Sequence, residues 1–358
     1  MDHRIFNQLL AAGIKNNASD IHLKSGSPPM FRIDGKLREI KAAKLTPEDT
    51  RDIVLSILQT DKQRENVDSI QELDTSYLLA DTGRFRVNIF KQRGSFEIVL
   101  RIISLDVPTF EKLGLPPVLN AISSNERGLI LVTGVTGSGK SSTLAAVVSY
   151  INLNFPKHIL TIEDPIEFLH TDFNSSISQR EIGPDTRDFT MALRSALRQD
   201  PDVIMVGEIR DSETVDIAIK ASETGHLVLS TLHTTDATHT VNRLIGLFPM
   251  EEQEVVRMRL AESLKAIISQ RLLPRKDGKG RVLAAEILVN TATISDCIRD
   301  KTKTSKIREY IEKGHDQYGM QSFDQHLSYL CKKGVVTTEV AIAAASNPSD
   351  FERAMSFE

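Results

Sequence analysis

The feature that most constrains the fold is the segment GVTGSGKS at residues 134–141, which matches the pattern G-x-x-x-x-G-K-[ST]. It follows an apolar run at residues 129–133 and precedes a helix-forming run, TLAAV, at residues 143–147. A chance glycine turn is not expected between a strand-like run and a helix-forming run. The context therefore favours a strand, a phosphate-binding loop and a helix in that order. The segment therefore predicts a parallel α/β sheet that binds a nucleotide at the carboxyl end of its strands.

Each part of this loop has a distinct predicted role. Glycines allow backbone N–H groups to curl around phosphate oxygens, and the following helix N-terminus adds partial positive charge. Lys140 is expected to reach the β- and γ-phosphates of ATP, and the Ser141 hydroxyl to bind Mg²⁺. The predicted nucleotide-binding residues are Gly134, Thr136, Gly137, Ser138, Gly139, Lys140, Ser141 and Ser142.

Three further apolar runs, at residues 158–162, 203–206 and 227–232, are short and bounded by Gly, Asp or Pro. Such runs are typical of parallel strands that are buried on both faces. Glu163 follows the first run and Glu208 follows the second, so both should lie at the ligand-binding edge. The residues alone leave open which carboxylate is the base. We favour Glu208 as the base and Glu163 as the organiser of Mg²⁺ and water, with Ser141, Glu163 and Glu208 as the predicted metal ligands.

Histidines and arginines near these runs are further candidates for catalysis. His233 follows the fourth run and is expected to sense the γ-phosphate, whereas His226 precedes that run and could equally be structural. Surface arginines are usually only solvated, but several of them in an ATPase make a role between subunits plausible. The candidates are Arg84, Arg86 and Arg101 in the N-terminal region, and Arg194, Arg198 and Arg210 around the third run.

The N-terminal region predicts a separate α+β domain. Ile5, Leu9, Leu10 and Ile14 indicate one apolar helix face within residues 1–20. Alternating residues at 84–103, interrupted by Arg-Gly-Ser at 93–95, predict an antiparallel hairpin. The tail from residue 251 is predicted to be mostly helical, with one more strand near 282–289. We therefore expect an N-terminal domain at 1–110, a linker at 111–120 and an ATPase domain at 121–358.

Charge and composition disfavour several kinds of partner. The formal net charge of −4 and the lack of a basic or aromatic tract argue against a nucleic-acid partner. Cys297 and Cys331 are far apart, which disfavours a zinc site and favours a reducing compartment. No apolar run reaches the ~20 residues that span a bilayer, and no signal peptide is recognisable. Any membrane association is therefore expected to be peripheral and to occur through a protein partner.

Four blocks together carry a family resemblance: GVTGSGKSS, TIEDPIEF, LRQDPDVIMVGEIRD and GHLVLSTLHTTDA. In this order they resemble the Walker A, Asp box, Walker B and His box of the type II/IV secretion ATPase family. The runs SDIHL and FRIDG at residues 19–23 and 31–35 are also similar to that family. The resemblance covers about residues 15–345. It implies a homohexameric ring of PAS-like N-terminal and RecA-like C-terminal domains, with ATP between them.

The resemblance also implies site residues and a cellular role. Arg86 and Arg101, with Arg84 beside them, match N-terminal arginines that reach the phosphates, and Arg194, Arg198 and Arg210 match arginines around Walker B. The short layout, without extra N-terminal domains or a tetracysteine site, is most similar to the family's motors of type IV pilus retraction and twitching motility. Such motors are cytoplasmic and dock on an inner-membrane pilus platform protein.

Other roles within the same chemistry stay open at this point. The stretch KIREYIEK at residues 306–313 keeps only part of a tail motif of the retraction motors, and GMQSFDQ follows it at 319–325. An accessory paralogue, a pilus-extension motor and a type II secretion ATPase are therefore alternatives. A nucleic-acid translocase is less expected because of the acidic charge balance. Intact Lys140, Ser141, Glu163 and Glu208 argue against an adaptor that does not hydrolyse ATP.

Overall fold

A computed structural model describes residues 2–80, 82–103 and 106–356 of the chain. The chain forms two compact units. The first comprises Met1–Asp106 and Pro165–Leu169, and the second comprises Val107–Asp164 and His170–Glu358. Both units combine helices with a sheet, which confirms the predicted mixed α/β class. Within the described ranges, no helix has both the length and the apolar character needed to cross a bilayer.

The first unit is built around an antiparallel sheet with the strand order β3-β2-β1-β6-β5-β4 in its described part. Its strands are β1 (Asp20–Lys24), β2 (Met30–Ile33), β3 (Lys36–Glu39), β4 (Glu72–Leu79), β5 (Gly83–Gln92) and β6 (Ser95–Ile103). Its helices are α1 (His3–Lys15), α2 (Pro47–Ile57) and α3 (Asp61–Glu65), followed by a 3₁₀ turn at Val67–Ser69.

The hairpin predicted at 84–103 is confirmed, and its turn is tighter than the sequence suggested. Gln92 pairs with Ser95, so only Arg93 and Gly94 form the turn, both with positive φ (53° and 81°). Two such residues match the right-handed twist of the flanking strands. The predicted apolar face of the first helix is wrong at one position. Ile5 is 53% exposed because Phe6 is the residue that faces the core.

The second unit has a sheet with the strand order β13-β12-β7-β11-β10-β8-β9 in its described part. Its strands are β7 (Gly128–Thr133), β8 (His158–Glu163), β9 (Ser176–Glu181), β10 (Val203–Val206), β11 (Leu227–Leu232), β12 (Leu264–Pro274) and β13 (Arg281–Val289). All neighbours are parallel except β12 and β13. Strands at the four predicted apolar runs, and the predicted strand near 282–289, are confirmed.

Helices cover both faces of this sheet, because alternate residues of β7 belong to two different cores. Leu129 and Leu131 pack in one core, and Ile130 and Val132 pack in the other. The helices are α4 (Phe110–Leu113), α5 (Val118–Ser123), α6 (Lys140–Asn154), α7 (Phe189–Ala196), α8 (Ser212–Glu223), α9 (Ala237–Gly246), α10 (Gln253–Ser263), α11 (Ala292–Arg299), α12 (Ile307–Lys313), α13 (His315–Tyr318), α14 (Phe323–Lys332), α15 (Thr338–Ala344) and α16 (Pro348–Ser356), with a 3₁₀ turn at Thr304–Lys306.

Two features of this unit differ from the sequence-based expectation. The tail from residue 251 contains β12, an 11-residue strand where helix was predicted. A continuous apolar run does not distinguish a buried strand from a buried helix, and pairing with β7 decides for the strand. The segment 111–120, predicted as a linker, is partly helical, and Leu115 and Leu119 are buried in the core of the second unit.

A buried carboxylate stabilises the start of α9. Glu286 on β13 is 5% exposed, and its Oε1 accepts a hydrogen bond of 2.8 Å from the backbone N–H of Ala237. Burial raises the pKa of Glu286 to about 7, and Asp236 contributes in the same direction. The nearby guanidinium groups of Arg271 and Arg308 act in the opposite direction without overcoming the effect of burial.

This shift predicts how stability depends on pH. The ordinary pKa of a glutamate is 4.5, so between pH 4.5 and about 7 the folded chain retains a proton that the unfolded chain has lost. The free energy of unfolding should therefore fall as the pH rises through this window. Glu286→Gln keeps an acceptor and cannot ionise. Relative to the parent, its free energy of unfolding should therefore increase by up to about 3 kcal/mol between pH 4 and pH 8.

Urea unfolding of both proteins at pH 4 and pH 8 measures this difference. The same substitution at exposed Glu254 is the matched control and should leave the pH dependence of the parent unchanged. An identical difference between Glu286→Gln and the parent at both pH values would contradict the assignment.

Candidate nucleotide-binding site

The loop between β7 and α6 is closed tightly around its first glycine. Gly134 has a φ of 146°, and a Cβ atom there would lie 2.5 Å from Ser138 Oγ and 2.6 Å from the carbonyl oxygen of Gln270. Gly139 has a φ of 94° and directly precedes α6. Any larger residue at position 134 would have to displace backbone, so the loop shape requires glycine there.

Lys140 is the first residue of α6 and is 9% exposed. Its Nζ donates to the carbonyl oxygens of Gly134, at 2.8 Å, and Val135, at 3.2 Å. Burial lowers the pKa of the Lys140 ammonium, and the Glu208 carboxylate acts in the opposite direction. The ammonium group therefore lies against the phosphate-binding loop, where the helix N-terminus also favours an anion. Ser141 is exposed in the first turn of α6.

The two predicted carboxylates lie at the same end of neighbouring strands. Glu163 is the last residue of β8, and Glu208 follows β10 after Gly207. The strands are in register with Ile162 beside Val206, so their carboxyl ends coincide. Glu163 is 7% exposed. Its Oε1 accepts hydrogen bonds from Thr161 Oγ1 at 2.7 Å and Gln179 Nε2 at 3.1 Å, which fix the orientation of the carboxylate.

His233 connects the phosphate-binding loop to the second carboxylate. It follows β11, which lies between β7 and β10. Its Nδ1 is 3.5 Å from Thr136 Oγ1, and its Nε2 is 3.3 Å from Glu208 Oε1. Arg210 contacts the other oxygen of Glu208 through Nε at 2.9 Å and Nη2 at 2.8 Å. These hydrogen bonds raise the pKa of the Arg210 guanidinium. The structure thus brings Thr136, Lys140, Glu208, Arg210 and His233 together at one edge of the sheet.

The oxygen donors at this edge fit Mg²⁺. The ion prefers hard oxygen ligands and is usually bound by one or two protein groups together with nucleotide phosphates. Ser141, Glu163 and Glu208 supply a hydroxyl and two carboxylates. Within the described ranges, no group of three or more His, Cys, Asp or Glu side chains is arranged to hold a metal ion. A hydroxyl and two carboxylates suit a hard cation that takes its other ligands from phosphate oxygens and water.

Three of the predicted site residues in the second unit do not contact the phosphate-binding loop of their own chain. His226 is at the amino end of β11, where its Nδ1 contacts the carbonyl oxygen of Ala221 at 2.9 Å, so it borders the end of α8 rather than the phosphate-binding loop. Arg194 on α7 pairs with Glu213 in the first turn of α8. Arg198 lines a surface cavity with these two residues.

The candidate arginines of the first unit lie on adjacent strands. Arg84 on β5 donates a hydrogen bond to Ser76 Oγ at 2.9 Å. Arg86 on β5 lies directly opposite Arg101 on β6, and both are exposed. Arg101 Nε also donates to Asp20 at 3.0 Å. Asp20 offsets part of the positive charge of Arg101, so Arg86 is the more available of the two guanidinium groups for an anionic ligand.

Sequence reasoning missed the amide side chains that support the site. Gln179 lies on β9 and contacts Glu163, whereas Gln270 lies on β12 beside the phosphate-binding loop. Neither strand was predicted. A polar residue inside an apolar run, as in Ile268-Ser269-Gln270, was the signal that could have indicated a strand next to a ligand site.

The geometry predicts distinct roles for binding and turnover. Glu208→Gln should bind an ATP analogue with a Kd within a few-fold of the parent value. It should lose turnover by at least about 100-fold, since the amide cannot accept a proton from water. Steady-state phosphate release and titration with the analogue measure the two quantities. Glu251→Gln, an exposed site in the same unit, is the control. Turnover at the parent rate in Glu208→Gln would make Glu163 the candidate base.

Comparison with known proteins places this geometry among ATPases of pili and secretion systems. The chain matches the family described as type II/IV secretion system protein over residues 2–315. It is 46% identical over 344 residues to the type IV pilus retraction ATPase PilT of Pseudomonas aeruginosa, covering 96% of this chain and 99% of that protein. It is 40% identical to the type IV pilus ATPase PilU of the same organism, covering 96% and 90%.

A solved structure agrees with these sequence relationships. A crystal structure of the pilus retraction motor PilT with bound ADP superposes with a TM-score of 0.88 at 44% identity. The superposition covers 97% of this chain and 98% of that chain.

Proposed function

Since the chain belongs to the type II/IV secretion system protein family, we propose that it is an ATP-hydrolysing motor that powers retraction of type IV pili. The observation that carries the ATPase assignment is the contact of one imidazole, His233, with both the phosphate-binding loop and Glu208. The retraction role rests on similarity to a retraction ATPase along 96% of the chain.

The proposed reaction uses this chain's residues in complementary roles. Lys140 and the backbone N–H groups of the loop bind the β- and γ-phosphates, and Glu208 orients the attacking water and accepts its proton. His233 can report the presence of the γ-phosphate because it contacts the loop and the base together. Mg²⁺, held by Ser141 with the carboxylates of Glu163 and Glu208, would neutralise charge on the phosphate oxygens.

The proposed working form is a homohexameric ring. Arg86 and Arg101 lie opposite one another on the exposed surface of the first unit, and Arg86 adds cationic charge beside the ion pair of Arg101 with Asp20. In a ring, each subunit can present this surface to a nucleotide at a subunit boundary, and closed head-to-tail contacts give cyclic symmetry. Arg194, Arg198 and His226 are proposed to act at the same boundaries. The ring would dock on an inner-membrane pilus platform protein at the cytoplasmic face of the membrane.

An accessory role beside a principal retraction motor is the second candidate. The tail segment KIREYIEK keeps only part of the retraction-motor motif. Its Arg308 is engaged within the subunit, by Glu312 at 3.2 Å and Asp324 at 2.6 Å. The chain is also 40% identical to a pilus ATPase of the PilU type.

Deletion of the gene and counting of surface pili distinguish these roles. Loss of a principal retraction motor should leave cells piliated but unable to twitch, whereas loss of an extension motor should leave them without pili. An accessory motor should leave twitching largely intact. Complementation with Lys140→Ala should fail to restore motility, since the phosphate charge loses its partner. Bald cells after deletion would overturn the retraction role.

The arginine pair is tested most cleanly at Arg86, whose backbone pairs in the sheet but whose side chain has no hydrogen-bond or ion-pair partner among the described residues. Arg86→Ala should therefore leave the melting temperature unchanged and lower ATP turnover at least about tenfold, since arginines that reach transferring phosphates contribute more than this. Arg101→Ala should lower turnover similarly while still binding an ATP analogue.

Arg64→Ala is the matched control, because Arg64 is an exposed arginine of the same unit that pairs only locally with Asp61. Full ATPase activity in both Arg86→Ala and Arg101→Ala would remove the first unit from the catalytic site. Sedimentation of the parent should show a hexamer with nucleotide, and an active monomer at micromolar concentration would contradict the ring.

A further inference from the structure

The strand that sequence reasoning missed supplies a residue to the underside of the phosphate-binding loop. β12 runs parallel to β7, and Ser269 pairs with Thr133, the last residue of β7. Their hydroxyl groups are 2.9 Å apart and buried. The next residue along each strand is Gln270 on β12 and Gly134 at the start of the loop. Gln270 therefore lies beside the point where the strand becomes the loop.

The backbone of Gln270 restricts the loop from one side. Its carbonyl oxygen would lie 2.6 Å from a Cβ atom on Gly134, so β12 and the loop approach as closely as glycine permits. The carbonyl of Gly134, in turn, accepts the hydrogen bond from Lys140 Nζ at 2.8 Å. The position of β12 thus determines where the acceptor of the Lys140 ammonium lies.

The side chain of Gln270 holds the other end of the loop. It is 1% exposed, and its Nε2 donates to Thr143 Oγ1 at 2.6 Å. Thr143 belongs to the first turn of α6, where its backbone N–H donates to the carbonyl of Gly139 at 3.0 Å. One amide therefore ties β12 to the helix turn that begins with Lys140.

The carbonyl oxygen of the Gln270 side chain is buried at a cost in stability. Gln270 Oε1 is buried and accepts no hydrogen bond from the described residues. It lies 4.0 Å from the Cβ position of Gly139. An apolar side chain of the same length would fill this space without burying an unsatisfied carbonyl. Buried polar groups kept at such a cost are typical of sites where geometry matters more than stability.

We propose that Gln270 is a positioning residue for nucleotide binding, which fixes the phosphate-binding loop and the first turn of α6 relative to β12. This rests on the proposed ATPase function of the same site. The amide acts through the contacts of Gly134, Thr143 and Lys140 and does not touch the reacting atoms. The phosphates bind this loop before and during the reaction, so the amide should contribute to nucleotide affinity more than to the chemical step.

Two isosteric changes test this proposal. Gln270→Met keeps length and removes both polar atoms, and Thr143→Val removes the hydroxyl that Gln270 contacts. Each should raise the Kd for mant-ADP and the KM for ATP about tenfold, with kcat within about twofold of the parent, as expected for loss of one buried hydrogen bond. Because both substitutions break the same bond, the double variant should be little weaker than either single variant.

Ile268→Val is the matched control, a buried truncation on the same strand. It should lower the melting temperature while leaving KM and Kd unchanged. Parent values of KM and Kd in Gln270→Met, or an equal increase in Ile268→Val, would overturn the positioning role. Thr143→Val keeps the test decisive if Gln270→Met does not fold. Titration of the parent with mant-ADP separates this result from a failure of the proposed ATPase function, since it detects binding without turnover.

Discussion

The parallel register of β7, β11, β10 and β8 is the constraint on which the rest of the second unit depends. Because these neighbouring strands end at one edge, groups separated by about 100 residues of sequence come within hydrogen-bond distance. Thr136 follows the first of them and His233 the second, and their side chains meet at 3.5 Å. Glu208 follows the third and meets the other nitrogen of His233. These side chains follow the strand ends, so a shift of one residue in any pairing would displace them relative to one another.

The strong local signals made much of this arrangement predictable. A glycine-rich loop between an apolar run and a helix has few structural solutions, and carboxylates after buried strands must lie at the same edge. Glu163 and Glu208 were placed in this way from the sequence alone. The hairpin at 84–103 was also predictable from its alternating pattern and from Gly94, although its turn is the two residues Arg93 and Gly94 instead of the three that were predicted. In each case a local chemical rule was sufficient.

The parts that could not be predicted depend on pairing over long distances. The local sequence of β12 is compatible with either helix or strand, and its pairing with β7 and β13 decides for the strand. Because β12 was not predicted, the sequence did not indicate that Gln270 lies next to the phosphate-binding loop. The apolar spacing that indicated one helix face placed Ile5 inside, yet the neighbouring Phe6 is the residue that is buried there. The segment at 111–120 was read as a linker from its Pro and Gly content, although its leucines pack in a core.

The contact between β12 and the phosphate-binding loop also affects when, during synthesis, this site can exist. Gln270 and Thr143 are 127 residues apart in the chain. A nascent chain that has emerged only as far as Ala237, the first residue of α9, already contains all four nucleotide motifs but lacks the strand against which Gly134 packs. Closure of such a distant contact is entropically costly and therefore slow. If Gln270 positions the loop as proposed, competence to bind nucleotide would be acquired only after β12 has joined the sheet.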